Sequence, residues 1–220
     1  VAISHWENAV KHNPSFAMAW RNLGWGYYRH SNDISKAIDA YEKAFSVEKQ
    51  EAIWYSELDE LYERNNAPLE KRLALFEGSN DVVMRRDDAF TRQITVLTMA
   101  GKPEQAVKYL EGKSFSYREG SSRVREVIID AHLMLGRKYF VSGNYKNALE
   151  QFLKAQIPEE EAGSARAANR DVQVNYHIGL AYEAMGEKKK AAEYYRLAAK
   201  QTIRRQGYMN YYQGLSFTHL

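Results

Sequence analysis

Six histidines are the first residues whose chemistry could point to a catalytic or metal site. They are His5, His12, His30, His132, His177 and His219. No two of them lie at positions i and i+4 with a glutamate between, the arrangement by which one helix holds the zinc of a metallohydrolase. His132 and His177 fall on predicted packed helix faces, where a hydrogen-bonded structural histidine is the expected interpretation.

Carboxylates, glycines and hydroxyl groups show no catalytic pattern either. Glu159, Glu160 and Glu161 form an acidic run that is typical of a solvated surface. The sequence has no G-x-x-x-x-G-K-[ST] phosphate loop and no G-x-S-x-G nucleophile turn, and it has no cysteine. We therefore expect no enzyme activity, no cofactor and no metal.

The charged residues argue against a nucleic-acid or membrane partner. Lys and Arg number 31 against 28 Asp and Glu, which leaves a net charge of +3. The basic clusters 85–86, 188–190 and 204–205 are scattered among acidic residues, whereas nucleic-acid binding needs a continuous basic face. The longest stretch without a charged side chain, Gln206–Leu220, is shorter than the roughly 20 apolar residues of a membrane-spanning helix.

An internal repeat predicts the elements that would position any site. Residues recur as small-x-x-x-aromatic-x-x-small, the i, i+4, i+7 stripe of one helix face. The anchor residues are spaced by 35, 35, 34, 42 and 43 and are Ala2, Ala37, Arg72, Ala106, Ala148 and Ala191. The two long spacings predict insertions at 112–123 and 157–171, which are either functional loops or structural filler.

A second pattern before the anchors predicts the partner helix of each pair. Its copies are Trp20-x-x-Leu23-Gly24-x-x-Tyr27, Leu135-Gly136-x-x-Tyr139 and Ile178-Gly179-x-x-Tyr182, with a weaker copy Tyr55-x-x-Leu58-x-x-x-Tyr62. The glycines let the partner helix approach closely, and we expect the aromatic residues to fill gaps between successive pairs. Five residues before an anchor stand residues that tolerate the left-handed backbone ending a helix, namely Asn32, Gly101, Gly143 and Gly186.

Together these motifs resemble the tetratricopeptide repeat (TPR). The best copy joins Trp20, Leu23, Gly24 and Tyr27 to Ala37, Tyr41 and Ala44, and the resemblance covers most of the chain. It implies an all-α fold, a right-handed superhelical solenoid of antiparallel helix pairs, with about five repeats and a C-terminal capping helix. In such an array the first helix of each pair lines a concave groove.

A closer resemblance extends over about residues 20–200. It rests on Ser114-Phe115-x-x-x-Glu119-Gly120, on Asp130-Ala131-His132-Leu133 and on the run 176–184. These motifs are similar to the C-terminal repeat region of long bacterial proteins with an N-terminal galactose-mutarotase-like β domain, which are linked to carbohydrate metabolism. That family has Trp before Glu-Gly, where this chain has Arg118.

The boundaries follow from the repeats. We expect residues 1–220 to form a single repeat domain, with N-terminal repeats at 1–112, an inserted loop at 113–123, and C-terminal repeats and a cap at 124–220. The first helix, at 1–11, lacks a partner, and the second resemblance implies a fragment of a longer chain. The cytoplasm is the favoured compartment, with the periplasm as the alternative.

The groove would be lined by first-helix residues that point away from the partner helix. The predicted protein-binding residues are Arg21, Trp25, Tyr28, Ser56, Glu60, Thr91, Thr95 and Arg137. Arg and aromatic side chains dominate binding at protein interfaces, so Arg21 beside Trp25 is the expected centre. Packing between repeats is the equal alternative for Trp25.

The C-terminal segment carries a stripe at i, i+3, i+4 and i+7. Its members are Tyr208, Tyr211, Tyr212 and Leu215. We expect a helix that caps the last repeat, and self-association through the stripe is the alternative.

These observations predict a non-catalytic scaffold that binds a peptide or protein segment in its groove. The alternative is a structural role in cis, in which the array packs on a missing carbohydrate-related N-terminal domain of the same chain.

Overall fold

The structure, a computed structural model, describes residues 2–115, 124–157, 170–201, 203 and 207–220. Within these ranges the chain forms thirteen α-helices and no strand, so the predicted all-α fold is confirmed. The helices are α1 (Ala2–His12), α2 (Ala17–Ser31), α3 (Ile34–Val47), α4 (Ala52–Arg64), α5 (Leu69–Phe76), α6 (Asn80–Val83), α7 (Asp87–Met99), α8 (Pro103–Leu110), α9 (Val124–Val141), α10 (Tyr145–Lys154), α11 (Arg170–Ala184), α12 (Lys188–Lys200) and α13 (Met209–Thr218).

The chain divides into two compact units, residues 1–96 and residues 97–220. In the first unit α1 packs on α2, α2 on α3, α3 on α4 and α4 on α5. In the second unit α8 packs on α9, α9 on α10, α10 on α11 and α11 on α12. Each unit is thus built from sequential helix neighbours, as the repeat pattern predicts, while the single-domain organisation stays a prediction.

The residues predicted to end helices with left-handed backbone all have positive φ. Left-handed backbone ends α2 at Asn32, where φ is 51°, and follows α9 and α11 at Gly143 and Gly186, where φ is 78° and 80°. The predicted loop at 157–171 is too long at its end, because Arg170 and Asp171 already belong to α11. Residues 116–123 and 158–169 of the two predicted insertions lie outside the described residues.

The helix α6 is not part of the repeat pattern. It has four residues, too few to show helical periodicity in the sequence. Val82 and Val83 are buried on it, which accounts for the extra turn between α5 and α7.

The repeat glycines make the close contacts that the sequence predicts. A Cβ atom added to Gly24 would lie 2.6 Å from Cδ2 of Tyr41, and one added to Gly136 would lie 2.4 Å from Cε1 of Phe152. Gly179 stands in the same relation to Tyr195 on α12, at 2.6 Å from its Cε1. Each aromatic ring therefore covers the glycine of its own helix pair. Two of the rings also reach the next pair, as predicted: Tyr41 bonds to Glu57 on α4, and Phe152 contacts His177 on α11.

The α4–α5 pair replaces this contact by a buried ion cluster. Asp59 and Arg72 stand where Gly24 and Ala37 stand in the pair before. Asp59 is 0% exposed and accepts hydrogen bonds from Nε and Nη2 of Arg72, both at 2.8 Å. Arg92 on α7 donates to the same carboxylate at 2.9 Å. The hydrogen bonds that Arg72 donates to Asp59 raise the pKa of Arg72 above its ordinary value.

The last helix caps the final pair. α13 packs on both α11 and α12, with Met209 and Ser216 buried and Tyr212 and Leu215 against the core. Tyr208 and Tyr211 are exposed instead. The predicted cap is confirmed. The predicted stripe does not form one face, because α13 buries Met209 and Ser216, each one residue after a predicted stripe position.

Candidate functional site

Four of the predicted groove residues, Arg21, Trp25, Tyr28 and Glu60, lie where side chains join α2 to α4. We call this the α2–α4 surface, and define it by Met18, Arg21, Trp25, Tyr28 and Arg29 on α2 and by Glu57, Glu60 and Arg64 on α4. The two helices are joined here by side chains: Arg21 pairs with Glu57, and the guanidinium of Arg64 lies 5.7 Å from the ring centroid of Tyr28.

Trp25 is the apolar centre of the α2–α4 surface. Its side chain is 39% exposed although it lies in the middle of α2. The guanidinium carbons of Arg21 and Arg29 lie 5.5 Å and 5.2 Å from the indole centroid, one from the turn before and one from the turn after. Tyr28 adds a tilted ring contact at 6.0 Å. These contacts fix the indole while leaving part of it open to solvent, as a binding anchor requires.

Arg21 is held in place from the neighbouring helix pair. Its Nε donates to Oε2 of Glu57 at 2.9 Å, and its Nη2 makes a second bond to the same carboxylate. The hydroxyl of Tyr41 also donates to Glu57, at 2.9 Å. The hydrogen bond to Glu57 raises the pKa of Arg21, and burial followed by the charge of Glu57 raises the pKa of Tyr41. Arg21 therefore positions Trp25 and joins α2 to α4, and much of its bonding capacity is already used.

Tyr28 and Glu60 form the second half of the α2–α4 surface. Both are partly buried. Arg64, four residues after Glu60, forms an ion pair with it at 2.8 Å and reaches over Tyr28. The predicted residues Tyr28 and Glu60 are thus joined by Arg64, which was not among the predicted residues.

The three predicted hydroxyl residues already donate their hydrogen bonds within the chain. Ser56 donates to the carbonyl of Ile53 at 2.8 Å, Thr91 to Asp88 at 3.0 Å, and Thr95 to Thr91 at 2.8 Å. Ser56 and Thr91 are also buried. Their position on the helix is as predicted, but their hydroxyl protons are not free for a ligand.

Arg137 is an exposed residue of α9 and belongs to the other unit. The structure therefore groups Arg21, Trp25, Tyr28 and Glu60 in one surface of the first unit, and the prediction for Arg137 stays a prediction.

The two candidate histidines are structural, as predicted. Nδ1 of His132 lies 2.9 Å from Oε1 of Gln151, and Nδ1 of His177 lies 2.8 Å from the carbonyl oxygen of Gln173. A carbonyl only accepts, so Nδ1 of His177 carries the proton. Burial lowers the pKa of His132, and it lowers the pKa of His177 to about 4. Within the described part of the chain, no three His, Asp or Glu side chains are grouped as metal ligands would be.

Sequence reasoning misses Arg29, Arg64 and the Asp59–Arg72 pair. Arg29 and Arg64 each follow a surface residue by four positions, which is the spacing of helix neighbours, so this signal was available. Asp59 and Arg72 occupy the glycine and small-residue positions of one repeat together, thirteen residues apart like Gly24 and Ala37. Charges of opposite sign at two facing positions indicate an ion pair.

Comparison with known families identifies the helix pairs at the two ends of the chain. Models of the tetratricopeptide repeat match residues 1–51 and 172–201, that is, α1–α3 and α11–α12. Both segments match the tetratricopeptide repeat. Among curated proteins, the chain is similar to Superkiller protein 3 of Schizosaccharomyces pombe (strain 972 / ATCC 24843), with 25% identity over 190 residues. The match covers 84% of this chain but only 12% of that protein.

Solved TPR-like structures share the fold at low sequence identity. The structure of YrrB, described as a TPR protein with an unusual peptide-binding site, aligns with a TM-score of 0.62 at 18% identity and covers 97% of this chain and 96% of its own. MamA aligns with a TM-score of 0.55 at 19% identity, covering 84% of this chain and 90% of its own. Yeast Tom70 aligns with a TM-score of 0.52 at 15% identity, covering 99% of this chain and 42% of its own.

These matches do not support the resemblance to bacterial proteins with a galactose-mutarotase-like domain. Among the helices that the structure describes, none has the length and apolar character needed to cross a membrane.

Proposed function

We propose that this TPR chain is a non-catalytic scaffold that binds a segment of another protein at the α2–α4 surface. The observation that carries the proposal is Trp25, a large aromatic side chain held by two guanidinium groups and left 39% exposed on the first helix of a repeat. Solitary exposed apolar residues are ordinary, but a pre-positioned Trp flanked by Arg is the composition of an interface hot spot.

The rigidity of the surface supports the same proposal. Arg21 and Glu57 join α2 to α4, and Arg64 is anchored by Glu60, so these side chains lose little further freedom when a partner binds. Binding energy is then less offset by the ordering of side chains. Met18 extends the apolar area along α2 and is 44% exposed.

The likeness in fold to YrrB, whose description includes a peptide-binding site, agrees with a protein or peptide ligand. The structural role in cis stays a prediction: the partner segment would then belong to another part of the same longer protein. That form of the proposal uses the same surface and differs only in the identity of the partner.

The proposal is tested by affinity capture from a cell lysate with the wild-type chain, a Met18→Ala/Trp25→Ala variant and a control. Val141→Ala/Leu197→Ala is the control, because it removes two exposed apolar side chains from the other unit. We expect mass spectrometry to identify a protein that is retained by the wild type and by the control and lost by the Met18/Trp25 variant. Equal capture by all three chains, or by none of them, would contradict the proposal.

A further inference from the structure

We infer that the segment bound at the α2–α4 surface is acidic, and that Arg29 receives its carboxylate beside the indole of Trp25. The inference rests on the proposed function and adds the chemistry of the partner: an extended peptide segment with an apolar residue towards one end and Asp or Glu towards the other.

The α2–α4 surface has one more arginine than it has glutamates paired with arginine. Three arginines lie on it, and two of them are neutralised, Arg21 by Glu57 and Arg64 by Glu60. Arg29 has no carboxylate within ion-pair distance among the residues that the structure describes. One positive charge is therefore unbalanced, and it lies at one end of the surface.

Arg29 lies where it can bind a carboxylate beside the indole of Trp25. Its guanidinium lies 5.2 Å from the Trp25 centroid, and Arg29 is an exposed residue of α2, so the cation lies against the ring and is accessible from solvent. A planar guanidinium that is already positioned can accept a carboxylate with two parallel hydrogen bonds. The carboxylate would then lie next to an apolar surface, where water competes less for the charges.

The length of the surface gives the spacing in the partner. Met18, Trp25 and Arg29 lie seven and four residues apart, on one face of α2. The rise of an α-helix places Met18 about 16 Å from Arg29 along the axis. An extended segment covers that distance in about five residues, which places its apolar side chain over Met18 when its carboxylate reaches Arg29.

The same charge balance disfavours a polyanion such as single-stranded nucleic acid. Stacking of bases on Trp25 would bring several phosphates towards Glu57 and Glu60, whereas only one arginine is unpaired there. A single carboxylate meets the one unbalanced charge without facing the glutamates.

A selection from a displayed library of random short peptides tests the inference, with the wild type, Arg29→Glu and Lys43→Glu as targets. Lys43→Glu makes the same reversal of sign on an exposed position of α3, outside the α2–α4 surface. Arg29 lies in the last turn of α2, where a positive charge also favours the helix, so melting temperatures are measured for each variant before selection.

We expect wild type and Lys43→Glu to enrich peptides that combine an apolar residue with Asp or Glu about five positions away. We expect folded Arg29→Glu to bind a selected acidic peptide about tenfold more weakly, and to bind its Asp→Lys form better than the wild type does. Enriched peptides that need Trp25 but show no acidic preference would overturn the inference and leave the proposed function standing. If no peptide is enriched, or if a single-stranded oligonucleotide binds in a Trp25-dependent way, both are overturned.

Discussion

At the scale of single residues, Gly136 is the position where the repeat pattern is most sharply tested. A Cβ atom there would lie 2.4 Å from Phe152, whereas a Cβ atom on Gly214 of α13 would meet nothing within 4 Å. We expect Gly136→Ala to destabilise the protein by about 1–3 kcal/mol through overpacking. Gly214→Ala, the same change in an open helix, should be neutral or stabilising by up to about 1 kcal/mol. Urea unfolding of both variants measures the difference, and equal effects would contradict the packing described here.

The buried His177 should make the stability of the protein depend on pH. Burial lowers its pKa to about 4 in the folded chain, whereas an unfolded chain has a histidine pKa of about 6.5. The unfolded state therefore takes up the proton first, so the contribution of His177 is complete above about pH 6.5 and is lost as the pH falls towards 4, by about 3 kcal/mol at most.

The measurement for His177 is the free energy of unfolding between pH 7 and pH 4.5. His177→Phe keeps a ring among Phe152, Tyr176 and Tyr212 but cannot titrate. Its stability should fall less steeply with decreasing pH than that of the wild type. Parallel curves for the two proteins would show that His177 does not contribute to acid sensitivity.

At the scale of helix pairs, the α4–α5 pair depends on one buried carboxylate. Removing Asp59 leaves Arg72 buried without its main partner, and we expect Asp59→Ala to cost about 3–5 kcal/mol. The double variant Asp59→Gly/Arg72→Ala restores the residue types of the α2–α3 pair and should lose less than the single variant. Chemical denaturation measures the free energy of unfolding of both variants. Glu150→Ala, which removes an exposed ion pair, is the control. A double variant less stable than the single one would contradict this interpretation.

The cap gives a matched pair of neighbouring tyrosines. Tyr212 contacts Tyr176 and His177 and accepts a hydrogen bond from Gln173 at 3.0 Å, whereas Tyr211 is exposed. We expect Tyr212→Ala to destabilise the second unit by about 2 kcal/mol and Tyr211→Ala to change stability by no more than about 0.5 kcal/mol. Thermal unfolding measures the stability of both variants. A larger loss for Tyr211→Ala than for Tyr212→Ala would contradict the packing of α13 described here.

Much of the architecture is predictable because each repeat encodes the same contact again. A glycine on the first helix, an aromatic residue on the second and a left-handed residue between them recur often enough to predict the helix pairs. Features that differ from the repeat pattern were not predicted when they depend on which partner a side chain contacts. Asp59 and Arg72 read as a degenerate copy, and the spacing that places Ser56 and Thr91 on a face does not reveal that their hydroxyls bond to backbone carbonyls. Trp25 follows from the helix register, and its contact with Arg29 follows from the i, i+4 spacing, although it was not predicted.

For the whole molecule, the central claim is that a partner covers the α2–α4 surface. Hydroxyl-radical footprinting tests it directly, with the free chain compared with the chain saturated by a peptide selected from the library. Met18 and Trp25 report on the surface, while Met99 and Met134 are exposed residues elsewhere in the chain and serve as internal references. We predict that oxidation of Met18 and Trp25 slows several-fold on binding while Met99 and Met134 oxidise at unchanged rates. Protection of the reference methionines with Met18 and Trp25 unaffected would contradict the account.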